Sequence, residues 1–387
     1  MGVNFAHRSA MKNIYCDISA TTPLSPEVNE FISKIQSTVF GNPSSIHRFG
    51  QEAKAVIEHA RRQISKAVNC SPGEIYFTGC GSESNNLVLH SLLKPGDHLI
   101  TSTYEHPAVK KPASVLESAG VNVSRIPPDD DGRISPSKVE HALKPETRLV
   151  SIMMVNNEIG SVNDVVSIGE MCKSKGILFH TDGVQGLGKI PIDLTALPID
   201  LMSMSAHKLY GPKGVGALFV RRDVPITSIL QGGGQEKNLR PGTENIAGIA
   251  GFGLAAQLAV ETLEKSSTHL KNLTQIFLTS LTEENIKFSV NGSHQIPGVL
   301  NIYFPGIEAQ SLVIRMDMAG IAISAGAACS SGTAKPAGAL LDMGFDIDRA
   351  STSVRISFGK FHTVEDVITV AEELGKIIAP LQKDILQ

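Results

Sequence analysis

The sequence has few cysteines and no paired ones. Its five cysteines, Cys16, Cys70, Cys80, Cys172 and Cys329, are scattered over 387 residues, and none forms a Cys-x-x-Cys pair. An odd and dispersed set argues against a disulfide framework or a zinc site, and for a reducing compartment. We therefore expect a cytoplasmic protein without a bound metal, in which any cysteine chemistry belongs to a single thiol.

Excess charge and long apolar runs are also missing. The chain has 35 Lys and Arg against 38 Asp and Glu, a formal net charge of -3, so we expect no nucleic-acid partner. No apolar run reaches the length of a membrane span, so we expect no membrane partner. The first twelve residues lack the apolar core of a signal peptide, although the sequence leaves open a short leader there.

What the sequence does contain is a regular alternation of strand-like and helical segments. A chain of this length predicts two domains. The alternation predicts an α/β fold with a mostly parallel sheet covered on both faces. Beyond a boundary near Glu264, the pattern changes to a smaller α+β unit. Predicted strands are 75–78, 98–103, 121–126, 149–155, 177–180, 201–204 and 217–220, then 288–290, 299–304 and 354–357.

Polar residues follow several of these strands at the edge where open parallel sheets bind ligands. They are Glu105 and His106, Asn156 to Glu158, Asp182 and Gln185, and Ser205, His207 and Lys208. The turn from Gly79 to Ser82 opens a helix, whose free backbone N–H groups suit a phosphate. Each residue alone has an ordinary interpretation as a cap or turn, but their joint occurrence favours a ligand site.

Two further segments suit function. The polar, glycine-rich stretch 232–245 is too long for a simple turn and is typical of a functional or intersubunit loop. The run of small residues 323–336 predicts an exposed loop that presents Cys329 as an accessible thiol. A strand-end lysine, an upstream aspartate and a helix-terminal phosphate site together describe a pocket for pyridoxal 5′-phosphate.

Short motifs along nearly the whole chain, in the same order, resemble those of cysteine desulfurases of the NifS/IscS-like branch of class-V aminotransferases, which are fold-type I, aspartate aminotransferase-like enzymes. The motifs are Ser19-Ala-Thr-Thr-Pro23, Gly41-Asn-Pro-Ser-Ser45, Glu83-Ser-Asn-Asn86, Glu105-His106, Val155-Asn-Asn-Glu158, His180-Thr-Asp182, Ser205-Ala-His-Lys208, Arg240-Pro-Gly-Thr-Glu-Asn245 and Ala328-Cys-Ser330. The resemblance implies a large cofactor domain at 21–264 and a small domain at 265–387 with the cysteine loop. It also implies that residues 1–20 pack with the small domain.

The resemblance also implies a role for each matching residue. Lys208 would bind the cofactor aldehyde, Asp182 its pyridine nitrogen, and Cys329 would accept sulfur. His106 would stack on the ring and move protons. The phosphate would be bound by Gly81, Ser82, Ser205 and His207, with Thr243 from a second subunit. Gln185 and Asn157 would hold the ring hydroxyl, and Arg355, with Asn157 and Asn42, the substrate carboxylate.

The implied reaction converts L-cysteine to L-alanine and leaves the sulfur as a persulfide on Cys329, for iron–sulfur cluster assembly or another sulfur-transfer pathway. A homodimer and a sulfur-acceptor protein are the implied partners. A selenocysteine lyase is the alternative, because segment 232–245 resembles those enzymes too. They carry an acidic residue after the Glu-His pair, where this chain has Pro107. A non-catalytic regulatory relative is a further alternative.

Overall fold

The computed structural model of the chain describes residues 13–326 and 338–385. Two of the predictions fall outside these ranges. One is the short leader at residues 1–12, and the other is the loop segment that contains Cys329.

Strands and helices alternate through most of the chain. The strands are β1 (Ile14–Tyr15), β2 (Ile75–Thr78), β3 (His98–Ser102), β4 (Asn122–Ile126), β5 (Thr147–Ser151), β6 (Leu178–Asp182), β7 (Leu201–Ser205), β8 (Gly216–Val220), β9 (Ser289–Val290), β10 (Val299–Tyr303), β11 (Ile321–Ala322) and β12 (Ser353–Ser357). The α-helices are α1 (Pro26–Thr38), α2 (Arg48–Ala67), α3 (Gly81–Leu92), α4 (Pro107–Ser118), α5 (Pro136–His141), α6 (Val165–Ser174), α7 (Ile246–Glu261), α8 (Leu263–Glu283), α9 (Ala309–Met318), α10 (Gly338–Asp342), α11 (Ile347–Ser351) and α12 (Val364–Ile385). Short 3₁₀ turns lie at Pro72–Glu74, Ala206–Lys208 and Gln235–Asn238.

A sheet with the order β2-β8-β7-β6-β5-β3-β4 forms the centre of the larger part of the described chain. Strands β7, β6, β5, β3 and β4 pair in parallel, whereas β8 is antiparallel to both β7 and β2. The strands are apolar and mostly buried, as expected where helices cover both faces. The α/β class with a mostly parallel sheet is thereby confirmed.

The described chain divides into two compact units. The larger unit contains Ser19–Ser267 and Gly292–Ile296, and the smaller contains the described parts of 1–18 and 297–387 with Thr268–Asn291. These bounds differ from the predicted ones because Ser19 and Ala20 belong to the larger unit. So does Gly292–Ile296, where Ser293 N donates to Asp131 O at 2.9 Å.

The smaller unit has its own sheet and core. Strand β10 pairs antiparallel with β12 and β9, and β1 pairs in parallel with β11. Its core includes Phe277 on α8, Phe304 after β10 and Phe358 after β12, and the rings of Phe277 and Phe358 meet edge to face at 5.2 Å. A separate hydrophobic core of this kind is typical of an independent domain.

One predicted strand is too long. The pattern predicted 149–155, but β5 ends at Ser151 because side chains take the backbone groups of Met153. Glu105 Oε1 accepts a hydrogen bond from Met153 N at 2.8 Å, and Asn163 Nδ2 donates to Met153 O at 2.7 Å. Periodicity alone cannot reveal such a distant competitor for the sheet hydrogen bonds.

The described ranges contain four of the five cysteines. Cys16, Cys70, Cys80 and Cys172 are free thiols there. Within residues 13–326 and 338–385, no group of His, Cys, Asp and Glu side chains is arranged to hold a metal ion. In the same ranges no individual helix is long and apolar enough for a membrane span, although α7 and α8, bent by 69° at their break, pass that test as a pair.

Candidate cofactor and active site

The predicted phosphate turn connects β2 to α3. Gly81 begins the helix, and a Cβ placed there would lie 2.6 Å from Val184 Cγ2 and 3.5 Å from Ser205 Cβ, so a side chain does not fit. Ser205, the last residue of β7, is buried, and its Oγ has no hydrogen-bond partner. Ser82 is exposed one residue into the helix. An orphaned hydroxyl beside the N–H groups of a helix start suits a phosphate.

Asp182 ends β6 with its carboxylate fixed by two hydrogen bonds. Oδ2 accepts from Asn85 Nδ2 at 2.7 Å, and Oδ1 accepts from Val184 N at 3.0 Å. Only 5% of the residue is exposed, so its negative charge acts in a weakly screened environment. Asn85, on α3, was not among the predicted site residues, although it lies within the quoted Glu83–Asn86 motif.

His106 caps α4. Its Nδ1 accepts a hydrogen bond from Ala108 N at 3.1 Å, which places the proton of a neutral ring on Nε2. Burial lowers the pKa of His106, and the positive charge of Lys208 lowers it further, while Asp182 acts in the opposite direction. The structure thus brings the imidazole, the aspartate and the lysine into one electrostatically connected cluster.

Lys208 lies in the 3₁₀ turn that follows β7. Its Nζ donates to Ser19 O at 2.6 Å and to Ala20 O at 2.7 Å. The preceding residue, His207, has its Nδ1 3.1 Å from Thr21 Oγ1. Burial, together with nearby lysines, lowers the pKa of His207 to about 4, so this ring is neutral at pH 7. The segment after Ile18 therefore closes over the lysine turn.

Gln185 and Asn157 complete the part of the predicted site that lies in the larger unit's interior. Gln185 is buried, its Nε2 donates to Ser19 O at 2.8 Å, and its Oε1 accepts from Lys189. Asn157 is half-buried in the turn that follows Val155. Both residues follow strands whose carboxyl ends lie at the same edge of the sheet as Asp182.

Of the remaining four predicted residues, two belong to the larger unit. Asn42 and Thr243 are exposed on loops of the larger unit. Arg355 belongs to the smaller unit, where it lies on β12, is 2% exposed and donates from Nη2 to Asp17 Oδ1 at 2.6 Å. Cys329 lies outside the described residues.

A buried carboxyl group next to His106 was not predicted as a site residue. Glu105 Oε1 accepts from Ser102 Oγ at 2.7 Å and from Met153 N, whereas its buried Oε2 has no hydrogen-bond partner. Burial raises the pKa of Glu105 to about 8, opposed by these hydrogen bonds and by Lys110, while Asp182 raises it further. The Glu-His pair in the sequence was the signal, but its burial was not visible there.

Comparisons with known proteins identify the family of the chain. The class-V aminotransferase family model matches residues 14–370. The cysteine desulfurase IscS of Clostridium botulinum (strain Hall) is 41% identical over 390 residues, which cover 97% of this chain and 98% of that protein. The putative cysteine desulfurase IscS 1 of Bacillus subtilis (strain 168) is 40% identical, with 96% and 100% covered.

A solved structure of a similar protein indicates the same family. A NifS-like protein superimposes with a TM-score of 0.89 at 34% identity, over 95% of this chain and 100% of that one. The residues at the sheet edge fit pyridoxal phosphate, because they combine the orphaned Ser205 hydroxyl, the Gly81 helix start, the fixed Asp182 carboxylate and the Lys208 amine. The chain therefore belongs to the class-V aminotransferase family, within its NifS- and IscS-like cysteine desulfurases.

Proposed function

We propose that the cluster of Asp182, His106 and Lys208 is the catalytic centre of this pyridoxal-phosphate-dependent cysteine desulfurase. The reaction converts L-cysteine to L-alanine and transfers the sulfur to Cys329 as a persulfide. One observation carries the assignment of the centre: a buried carboxylate, an imidazole and a lysine interact electrostatically, and the orphaned Ser205 hydroxyl lies beside the Gly81 start of α3. A structural role alone does not explain an unpaired Ser205 hydroxyl in a buried position.

The larger unit supplies the groups that hold the cofactor. Asp182 would pair with the pyridine nitrogen, and Gln185 and Asn157 would contact the ring hydroxyl. Ser205, with Gly81, Ser82 and His207, would bind the phosphate. When bound, pyridoxal phosphate supplies an electron sink that makes the Cα proton of cysteine removable.

Proton transfer falls to Lys208 and His106. The Lys208 amine would take the Cα proton of the substrate when it is not bound to the cofactor. The neutral His106 ring carries its proton on Nε2, because Nδ1 accepts from Ala108 N, so it donates at Nε2 rather than accepting there. The Cys329 thiolate attacks the substrate sulfur, which forms the new S–S bond and breaks the C–S bond, and the carbon product leaves as alanine.

The substrate carboxylate would be bound by Arg355, with Asn157 and Asn42. A guanidinium suits this role because its planar donors match a carboxylate. Asp17 already occupies Nη2 of Arg355, so it fixes the plane of the fork. Arg355 and Asp17 lie in the smaller unit, where this ion pair between a buried guanidinium and a half-buried carboxylate holds the arginine in place.

A homodimer would complete the phosphate site with Thr243 from the second subunit. Thr243 is exposed on its loop, and an exposed apolar group lies on the segment between α1 and α2. There Phe40 is 73% and Ile46 95% exposed, and the rings of Phe40 and Phe49 are 5.3 Å apart. Exposed apolar side chains of this size are typical of interfaces.

A cytoplasmic location, where thiols stay reduced, and an acceptor protein for the persulfide sulfur belong to the same proposal.

The function is tested by assaying L-cysteine and L-selenocysteine side by side, with alanine and sulfide or selenide quantified. We expect alanine and sulfide from L-cysteine, and a strong preference for L-selenocysteine would instead indicate a lyase. Lys208→Ala should lose the visible absorbance of the lysine-bound cofactor. Lys213→Ala, which changes an exposed lysine five residues along the chain, should retain it. A Lys208→Ala protein with unchanged colour would refute the assigned cluster.

A further inference from the structure

The glycine-rich loop Gly232–Asn245 is held in a strained shape by a buried ion pair. Glu236, Lys237 and Asn238 have consecutive φ angles of 46°, 56° and 67°. Left-handed backbone of this kind is unfavourable for residues that carry a side chain. Glu236 is buried and accepts from both terminal nitrogens of Arg61 at 2.8 Å, and from Phe77 N at 2.8 Å. These bonds attach the first half of the loop to α2 and β2.

A second ion pair attaches the other half of the loop to the phosphate turn. Arg240 Nε donates to Glu83 Oε1 at 2.8 Å, and Nη2 donates to Glu83 Oε2 at 3.4 Å. The same Glu83 Oε2 accepts from Gly79 N at 2.8 Å, at the start of the turn. One carboxylate therefore joins the turn before α3 to the loop. The two side chains are 28% and 22% exposed, so solvent screens the pair only in part.

The position of Thr243 depends on these attachments. Thr243 lies three residues after Arg240 and is exposed. Between them, Gly242 has a φ of 104° and its N donates to Gln235 Oε1 at 2.9 Å, which closes the loop on itself. With its two halves tied to β2 and to Glu83, the loop has little freedom to move Thr243 relative to the turn of its own subunit.

We propose that Glu83 and Arg240 are a positioning pair that couples the phosphate turn of one subunit to the Thr243 that this subunit supplies to its partner. The inference rests on the proposed homodimer. It means that loss of Arg240 weakens cofactor binding in the partner subunit more than in the subunit that carries the change. The bonds of Glu83 to Arg240 and to Gly79 N give both residues a positioning role, exerted through the segments that they hold.

Two mixed dimers, made from differently tagged chains and carrying the same two substitutions, test this coupling. In the first dimer, Arg240→Met and Lys208→Ala lie on one chain, so the remaining Lys208 site receives Thr243 from the altered loop. In the second, the substitutions lie on separate chains, so that site receives Thr243 from an unaltered loop. The measurement is the visible band of the lysine-bound cofactor as a function of pyridoxal phosphate concentration.

We expect the first dimer to bind the cofactor about tenfold more weakly than the second, the size of effect given by a lost charged hydrogen bond. Equal affinities, or weaker binding in the second dimer, would overturn the proposal. Damage to folding affects both dimers alike, because their composition is the same. Arg240→Lys, which keeps the charge, should recover part of the difference. A monomer by sedimentation, or an unaltered chain that never develops the band, would instead refute the proposed function.

Discussion

The two units of this chain hold their functional groups in different ways. In the larger unit, Asp182 and Lys208 lie at or just after the ends of two adjacent strands, β6 and β7. Each is held by hydrogen bonds to other groups of the same unit. In the smaller unit, the buried Arg355 donates to the half-buried carboxylate of Asp17, and the predicted nucleophile lies on a run of small residues. We therefore assign the cofactor site to the sheet edge of the larger unit and sulfur acceptance to the predicted loop of Cys329. Four predictions test whether cofactor binding and sulfur acceptance are divided between the two units in this way.

The largest effect is expected from removing the loop nucleophile. Cys329→Ala should keep the cofactor colour but lose sulfide release from L-cysteine, by about three orders of magnitude, because no thiolate is left to take the sulfur. Two other thiols are poor substitutes, since partial burial of Cys70 and full burial of Cys172 raise the pKa of each to about 12. Full turnover in this variant would show that the persulfide role belongs elsewhere.

Arg355 gives the next largest effect. Arg355→Lys keeps the charge but loses the planar fork, so KM for L-cysteine should rise by about tenfold or more, with a smaller change in kcat. Asp17→Asn is the matched variant, which keeps an acceptor for Nη2 and should raise KM less. An unchanged KM in Arg355→Lys would assign this arginine to the stability of the smaller unit alone. Thermal unfolding of both variants separates that outcome from misfolding.

Glu105 should make the larger unit sensitive to pH. Burial raises the pKa of Glu105 from 4.5 to about 8, so between these values the folded protein keeps a proton that the unfolded chain has lost. Its contribution to the free energy of unfolding is therefore full below pH 4.5, falls between the two values by up to about 1.4 kcal/mol per pH unit, and is level above pH 8.

Chemical denaturation of wild type and Glu105→Gln across this pH range measures the difference. The glutamine keeps an acceptor for Ser102 Oγ and Met153 N and cannot ionise, so its stability should fall less with rising pH. Glu52→Gln, at an exposed carboxylate, is the control and should follow wild type. Parallel curves for wild type and Glu105→Gln would show that this carboxyl is ionised throughout.

The smallest effect is expected at Cys80, in the turn before α3. Its backbone carbonyl accepts from Ser84 N at 3.2 Å, while its side chain is half-buried. Cys80→Ser should therefore change cofactor affinity and turnover by less than about twofold, since surface-like substitutions cost little. Loss of activity in this variant would place a second functional thiol in the larger unit. That result would contradict the assignment of sulfur chemistry to the smaller unit.

Much of the larger unit could be predicted from the sequence. The strands β2, β3, β6 and β7 are short apolar runs, and polar residues follow each of them, so the position of the ligand edge was foreseeable. The end of β5 could not be predicted, because it depends on hydrogen bonds from distant side chains. Glu105 accepts from Met153 N, and Asn163 donates to Met153 O. Asn85 was missed for the same reason, since its role depends on the distance to Asp182.

By itself, the sequence determined the α/β class and the order of motifs, and it predicted the lysine, the aspartate, the imidazole and the thiol of the site. Local patterns carry this information because hydrophobic periodicity and turn residues act over a few positions. Tertiary structure decided which groups are buried and what they contact: the raised pKa of Glu105, the Asp17 partner of Arg355, and the Glu83 bridge from the phosphate turn to the loop. Desolvation and hydrogen bonds between distant segments exist only after the chain has folded.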